Sequence, residues 1–176
     1  MRQIVLLRGI NVGKAKRVAM AELRELLTSL GHSDVKTVLN SGNAVVTTGA
    51  RAAQTEQAVH AAIADRFGLD VAVVVRSSDQ LASAMAADPF RSVATNGARH
   101  FLGFCSTAPE AAVARRLTGM SGDDFQVAVD GRHLYLWCPS GLLDSGFGAL
   151  NLGHLLGVEC TLRNWNTVEK MLSLAS

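Results

Sequence analysis

Aromatic residues are scarce in this sequence: six phenylalanines, two tryptophans and one tyrosine make up 5% of its 176 positions. RNA recognition by a sheet that stacks nucleobases is disfavoured, because the apolar segments Ile4–Leu7 and Ala44–Thr47, read as strands one and three, contain no aromatic at all. Cysteines are also few. Cys105, Cys138 and Cys160 are an odd number without a CxxC pair, which excludes a disulfide framework and fits reduced thiols. The longest apolar run, Val71–Val75, falls far short of the roughly 20 residues of a membrane-spanning helix. Ile4–Leu7 meets Arg8 too soon to serve as a signal peptide, so the expectation is a cytoplasmic protein with no membrane partner. Neither charge dominates: 17 Lys+Arg against 15 Asp+Glu leave a formal +2, so contact with a polyanion requires a local basic patch. There is no GxSxG elbow and no HExxH, and His32, His60, His100, His133 and His154 lack metal-ligand spacing. No metal and no cofactor is therefore expected. Asp123-Asp124 reads as a solvated turn without an acid/base partner.

What is present is an ordinary globular pattern. A chain of this length removes roughly 70% of its unfolded surface on folding, enough for a core without staples. Ile4–Leu7 reads as a strand, and Met20, Leu23, Leu26, Leu27 and Leu30 recur at helical spacing until Gly31. Val35–Leu39 and Ala44–Thr48 flank the turn Asn40-Ser41-Gly42-Asn43 as a hairpin. Ala52–Phe67 predicts a second helix and Val71–Val75 a fourth strand. The order βαββαβ is ferredoxin-like. A third helix over 78–87, with Ser78 as its N-cap, leads into a second α+β half: strand 100–105, helix 109–117, strands 125–129 and 134–138, and helices over 147–156 and 164–174. No eighth strand is evident. The fold class read here is thus α+β, with a ferredoxin-like subdomain (1–77), a helical connector (78–98) and a smaller α+β subdomain (99–176) made of βαββ plus C-terminal helices.

Two places concentrate polar chemistry. Arg8-Gly-Ile-Asn-Val-Gly13-Lys14-Ala-Lys16-Arg17 joins a strand to a helix with two glycines and four basic side chains, the ingredients of an anion site at a helix N-terminus. It is no P-loop: the spacing is GxxxGK, and Ala15 stands where a metal-ligating hydroxyl is needed. The plain alternative is a tight turn with solvated lysines. Right-handed crossovers put the end of strand one and the turn after strand two at one sheet edge, so Arg8, Asn11, Lys14, Asn40, Ser41 and Asn43 are expected to converge. The second place is Arg163-Asn164-Trp165. Here Trp165 either anchors the last helix in the core while Asn164 caps it, or stacks on a planar ligand while Arg163 forks onto an anion.

The pieces Arg8-Gly-Ile-Asn-Val-Gly13, Met20-Ala-Glu-Leu23, Asn40-Ser-Gly-Asn43, Val75-Arg76, Asp88-Pro-Phe90 and Arg163-Asn-Trp-Asn-Thr-Val168 occur in one order along the chain. Together they resemble the bacterial family called domain of unknown function 1697. The resemblance implies a ferredoxin-like first subdomain and a second α+β subdomain, and no activity. Arg8, Asn11, Asn40, Ser41, Asn43, Arg163 and Asn164 fall on the family's motif positions. One departure is visible: family members commonly show Ser-Lys-Leu, then a Glu, where this chain has Ser145-Gly146-Phe147 and Gly153. The expectation is a binding protein whose polar edge, built by Arg8, Asn11, Lys14, Asn40, Ser41, Asn43, Arg163, Asn164 and Trp165, takes an anionic partner: a nucleotide or a short nucleic acid. The alternatives are an enzyme acting on a phosphorylated or carboxylated small molecule, and a protein-interaction module. An enzyme calls for a deep pocket, a binder for a shallow polar cleft, a module for an exposed apolar patch.

Overall fold

Four consecutive apolar residues, Ile4–Leu7, form most of strand β1 (Arg2–Leu7), the buried centre of a four-stranded antiparallel sheet. The structure, a computed structural model, describes residues 1–176. After β1 come helix α1 (Met20–Ser29), strands β2 (Ser33–Val38) and β3 (Asn43–Thr47), helix α2 (Ala52–Phe67) and strand β4 (Val73–Ser77). The sheet order β2-β3-β1-β4, with β1 antiparallel to β3 and β4, is the ferredoxin-like arrangement. Leu23 and Leu27 of α1 and Val59 and Ile63 of α2 are fully buried against Val5, Leu7, Val46 and Val75. Each such side chain contributes about 1.5–3 kcal/mol relative to exposure. α1 ends where the reading placed its stop. Gly31 takes φ +86°, Gly31 N donates to Thr28 O and His32 N donates to Leu27 O.

Helix α3 (Ser78–Ala86) starts one residue beyond its cap: Gln80 N donates to Ser77 Oγ at 3.1 Å and Ser77 N donates to Gln80 Oε1 at 2.9 Å, so Ser77, and not Ser78, is the N-cap. By internal contacts the chain divides into Met1–Ser83 with Glu169–Ser176, and Ala84–Val168.

The second unit corrects the expected βαββ. Strand β5 (His100–Cys105), helix α4 (Ala111–Thr118) and strands β6 (Gln126–Asp130) and β7 (His133–Trp137) lead through a 3-10 turn (Gly146–Ala149) and the short α5 (Leu152–Leu156) to an eighth strand, β8 (Cys160–Asn164). The order β6-β7-β5-β8 repeats that of the first sheet. β8 escaped detection because it is a five-residue edge strand whose last two residues, Arg163 and Asn164, are polar. The single helix expected over 147–156 is broken because Asn151 caps α5, its Oδ1 accepting from His154 N at 3.1 Å. Phe101, Leu134, Leu136, Leu117, Phe147 and Leu156 form the core of this unit, and helix α6 (Trp165–Ala175) follows β8 directly.

Candidate functional site

The end of β1 and the β2–β3 turn meet. Leu7 N donates to Gly42 O at 2.8 Å, and Asn11 Nδ2 donates to Asn40 O at 2.7 Å. β1 and β2 both run antiparallel to β3, so their C-terminal ends share one edge, as the topology argument requires. Gly42 makes the approach possible. At φ +82° a Cβ there would lie 2.8 Å from Leu7 Cβ and from the buried Ile10 side chain.

Asn11 organises the loop 8–19. Its φ of +55° suits asparagine, its Nδ2 donates also to Val18 O at 2.8 Å, and its Oδ1 accepts from Val18 N at 2.9 Å. Lys16 is tied down as well, Nζ donating to Asp70 O at 2.8 Å. Asn43 is fully buried, donating to Val38 O and Ser41 Oγ at 2.8 and 2.9 Å. Asn11, Ser41 and Asn43 thus spend hydrogen bonds on the architecture of the edge. Arg8 is half-buried with its backbone N donating to Ala72 O at 3.0 Å, and Lys14 and Asn40 are exposed.

Behind the loop, α1 begins at Met20 with Ala19 in the N-cap position and no side chain capping it. The first-turn N–H groups of a helix have no intrahelical partner and carry its positive dipole end. Ala19 and Met20 at this helix start line a cleft of about 420 Å³ together with Asn11, Arg17, Val18 and Asn40. Arg17 is the basic residue of this lining; the loop's basic run contained it, but nothing in the spacing singled it out. The lining carries one guanidinium, that of Arg17, and two side-chain amides, those of Asn11 and Asn40. Val12 and Leu39, 71% and 59% exposed, stand beside Asn11 and Asn40 in the chain, and Leu39 sits at φ +57°.

The Arg163 element is engaged with its own unit. Asn164 caps α6, its Oδ1 accepting from Thr167 N at 3.0 Å and Thr167 Oγ1 at 2.9 Å. Trp165, read either as a core anchor or as a stacking platform, is half-buried, and its ring stacks on His100 at 4.1 Å and 9°. Arg163 donates from Nη1 to Thr161 Oγ1 at 2.7 Å and Leu162 O at 3.0 Å, and burial draws its guanidinium down to about 10. A residue pair that sequence reasoning missed lies behind Trp165. His100 Nε2 and Asp88 Oδ1 are 3.2 Å apart, with both side chains almost wholly buried. Asp88-Pro-Phe90 was the available signal: Asp88 Oδ1 also accepts from Phe90 N at 3.0 Å. No group of three or more His, Cys, Asp or Glu side chains is clustered as metal ligands, and no helix is long and apolar enough to cross a membrane.

With this geometry in view, the family described as "Protein of unknown function (DUF1697)" matches residues 1–135, which include the loop and turn and stop short of Arg163. No curated protein matches the chain significantly. Among solved structures, a conserved bacterial protein of Streptococcus pneumoniae, SP0830, is similar over 99% of this chain and 98% of its own, with 23% identity and a TM-score of 0.77. At that identity the likeness is one of fold.

Proposed function

The chain belongs to the DUF1697 family of proteins of unknown function, a membership that brings no activity with it, and we propose that its first unit binds a phosphate-bearing anion, a nucleotide or the backbone of a short nucleic acid. The observation that carries this reading is the cleft of about 420 Å³ in which the uncapped first turn of α1 meets Arg17 and Asn40. Helix N–H groups and a guanidinium are complementary to phosphate oxygens. A formal charge of +2 adds little long-range attraction, so affinity rests on these local donors.

Thermal shift with inorganic phosphate, mononucleotides, sugar phosphates and short oligonucleotides tests it. A ligand at about 100 times its Kd stabilises by about 2.7 kcal/mol. For a domain of this size that is a rise on the order of 5–10 °C. Arg17→Ala removes most of the rise and, because Arg17 is exposed, leaves the unliganded melting temperature within about 1 °C. No shift with any of these ligands, or an equal shift in Arg17→Ala, overturns the reading.

The exposure of Val12 and Leu39 at the same edge favours a second reading, a protein-interaction module. It predicts that Val12→Ser with Leu39→Asn abolishes partner capture while the phosphate response is absent in the parent chain.

A further inference from the structure

Cys105 closes β5 and Cys160 opens β8, and the two are directly opposed in the antiparallel register Cys105↔Cys160. Both are reduced, and 0% and 3% exposed. Cys105 N donates to Arg132 O, on the β7 side, whereas Ser106 N donates to Glu159 O, on the β8 side. Successive residues of a strand point their N–H groups to opposite neighbours, so Cys105 and Cys160 form a non-hydrogen-bonded pair. In such pairs the Cα atoms are about 4.5 Å apart and the side chains leave the same face. That separation lies inside the range spanned by disulfides. Gly103, two residues before Cys105, leaves the room that Cys160 Sγ occupies: a Cβ at Gly103 would lie 3.1 Å from it. Rotation about the Cys160 Cα–Cβ bond carries the sulfur from Gly103 towards Cys105.

We propose that Cys105 and Cys160 are a dithiol modification site, oxidised by peroxides to a cross-strand disulfide that staples β8 to β5. Cys160 is the first to react, because it stands at the start of the edge strand, just past the exposed Gly157 and Glu159, while Cys105 is in an interior strand. The Cys160 thiolate attacks one peroxide oxygen, the O–O bond breaks, and a sulfenic acid and water result. Cys105 Sγ then attacks the sulfenic sulfur and expels the second water. Two thiols and one hydrogen peroxide thus become one disulfide and two waters. Cys138 stays outside the reaction: it lies on β7's continuation, outside the β5–β8 register that opposes Cys105 to Cys160. The staple fixes the strand whose far end carries Arg163 and Asn164.

The full chain is treated with hydrogen peroxide. Separately, it is equilibrated in glutathione buffers of graded ratio, starting from reduced protein and from protein refolded under oxidising conditions, so that covered thiols are judged at equilibrium and not by rate. Remaining thiols are alkylated and peptides mapped without reduction. The expected product is lighter by about 2 Da, carries a linked peptide joining Cys105 to Cys160, keeps Cys138 alkylated and retains the native far-ultraviolet spectrum. Cys138→Ala leaves the link in place, and Cys105→Ala leaves on Cys160 a sulfenic acid that dimedone traps. Thiols at both positions at every glutathione ratio and from both starting points, a link through Cys138, or a linked form without native secondary structure overturns the proposal.

Discussion

Residues 8–19 join β1 to α1 in the first unit, whereas residues 106–110 make the equivalent connection from β5 to α4 in the second, although the two sheets have the same strand order. The hairpins differ in the same sense, residues 39–42 against Gly131-Arg132. The long loop and turn of the first unit can fold over each other, with Asn11 tying them, and still leave a helix N-terminus open beside Arg17. The short connections of the second unit carry no such basic loop. Topology places loops at an edge; their length and composition decide whether the edge becomes a site. The two units differ also in how each holds a buried histidine. His32 has no hydrogen-bond partner on either ring nitrogen, whereas His100 has the Asp88 carboxylate at 3.2 Å and the Trp165 ring at 4.1 Å.

Asp88→Ala tests this contrast most severely. It removes the acceptor of the bonds from His100 Nε2 and Phe90 N, and each hydrogen bond to a charged group is worth about 1.5–3 kcal/mol. Urea unfolding should show that loss while the phosphate response of the first unit survives in the folded protein. A cost below about 1 kcal/mol would mean that the pair does not hold β5 in place.

Next in size is Asn11→Ala, which removes three side-chain hydrogen bonds between the loop, Val18 and the Asn40 turn. The expected loss is about 2 kcal/mol, together with faster amide exchange across residues 8–19. An unchanged exchange pattern there would show that the edge is organised without its asparagine.

The histidine contrast predicts a pH effect of up to about 1.4 kcal/mol per pH unit for a single proton. Burial lowers the pKa of His32 below its ordinary 6.5. The unfolded chain takes up the proton first, so stability is full above about pH 6.5 and falls as pH drops below it, until the folded state titrates too. Unfolding free energies between pH 7.5 and about pH 5 should therefore slope less in His32→Leu than in the parent. Equal slopes would place the acid sensitivity elsewhere.

The smallest effect is expected at Leu39, whose φ of +57° is costly for a γ-branched side chain and whose surface is exposed. Leu39→Asn should stabilise by about 0.5–1 kcal/mol, since asparagine tolerates the left-handed region. Destabilisation would show that Leu39 packs on the edge.

Periodicity and turn chemistry were enough to read the first unit: Leu23, Leu26 and Leu27 at helical spacing, Gly31 at the stop, and a polar Asn-Ser-Gly-Asn turn between two β-rich runs. Those signals are local, and with the handedness of crossovers they brought Asn11 to Asn40 before any coordinates. β8 was illegible because an edge strand of five residues with Arg163 and Asn164 at its end lacks alternation; β5 beside it, not its own propensity, makes it a strand. The sequence pattern by itself determined two α+β halves and a basic glycine-bearing loop after the first strand. Only tertiary structure decided which basic residue lines the cleft, that Asn11 and Asn43 serve the scaffold, that Trp165 stacks on His100, and that Cys105 faces Cys160. The contacts of Asn11 with Asn40, His100 with Trp165 and Cys105 with Cys160 pair residues 29 or more positions apart, which a local pattern does not encode.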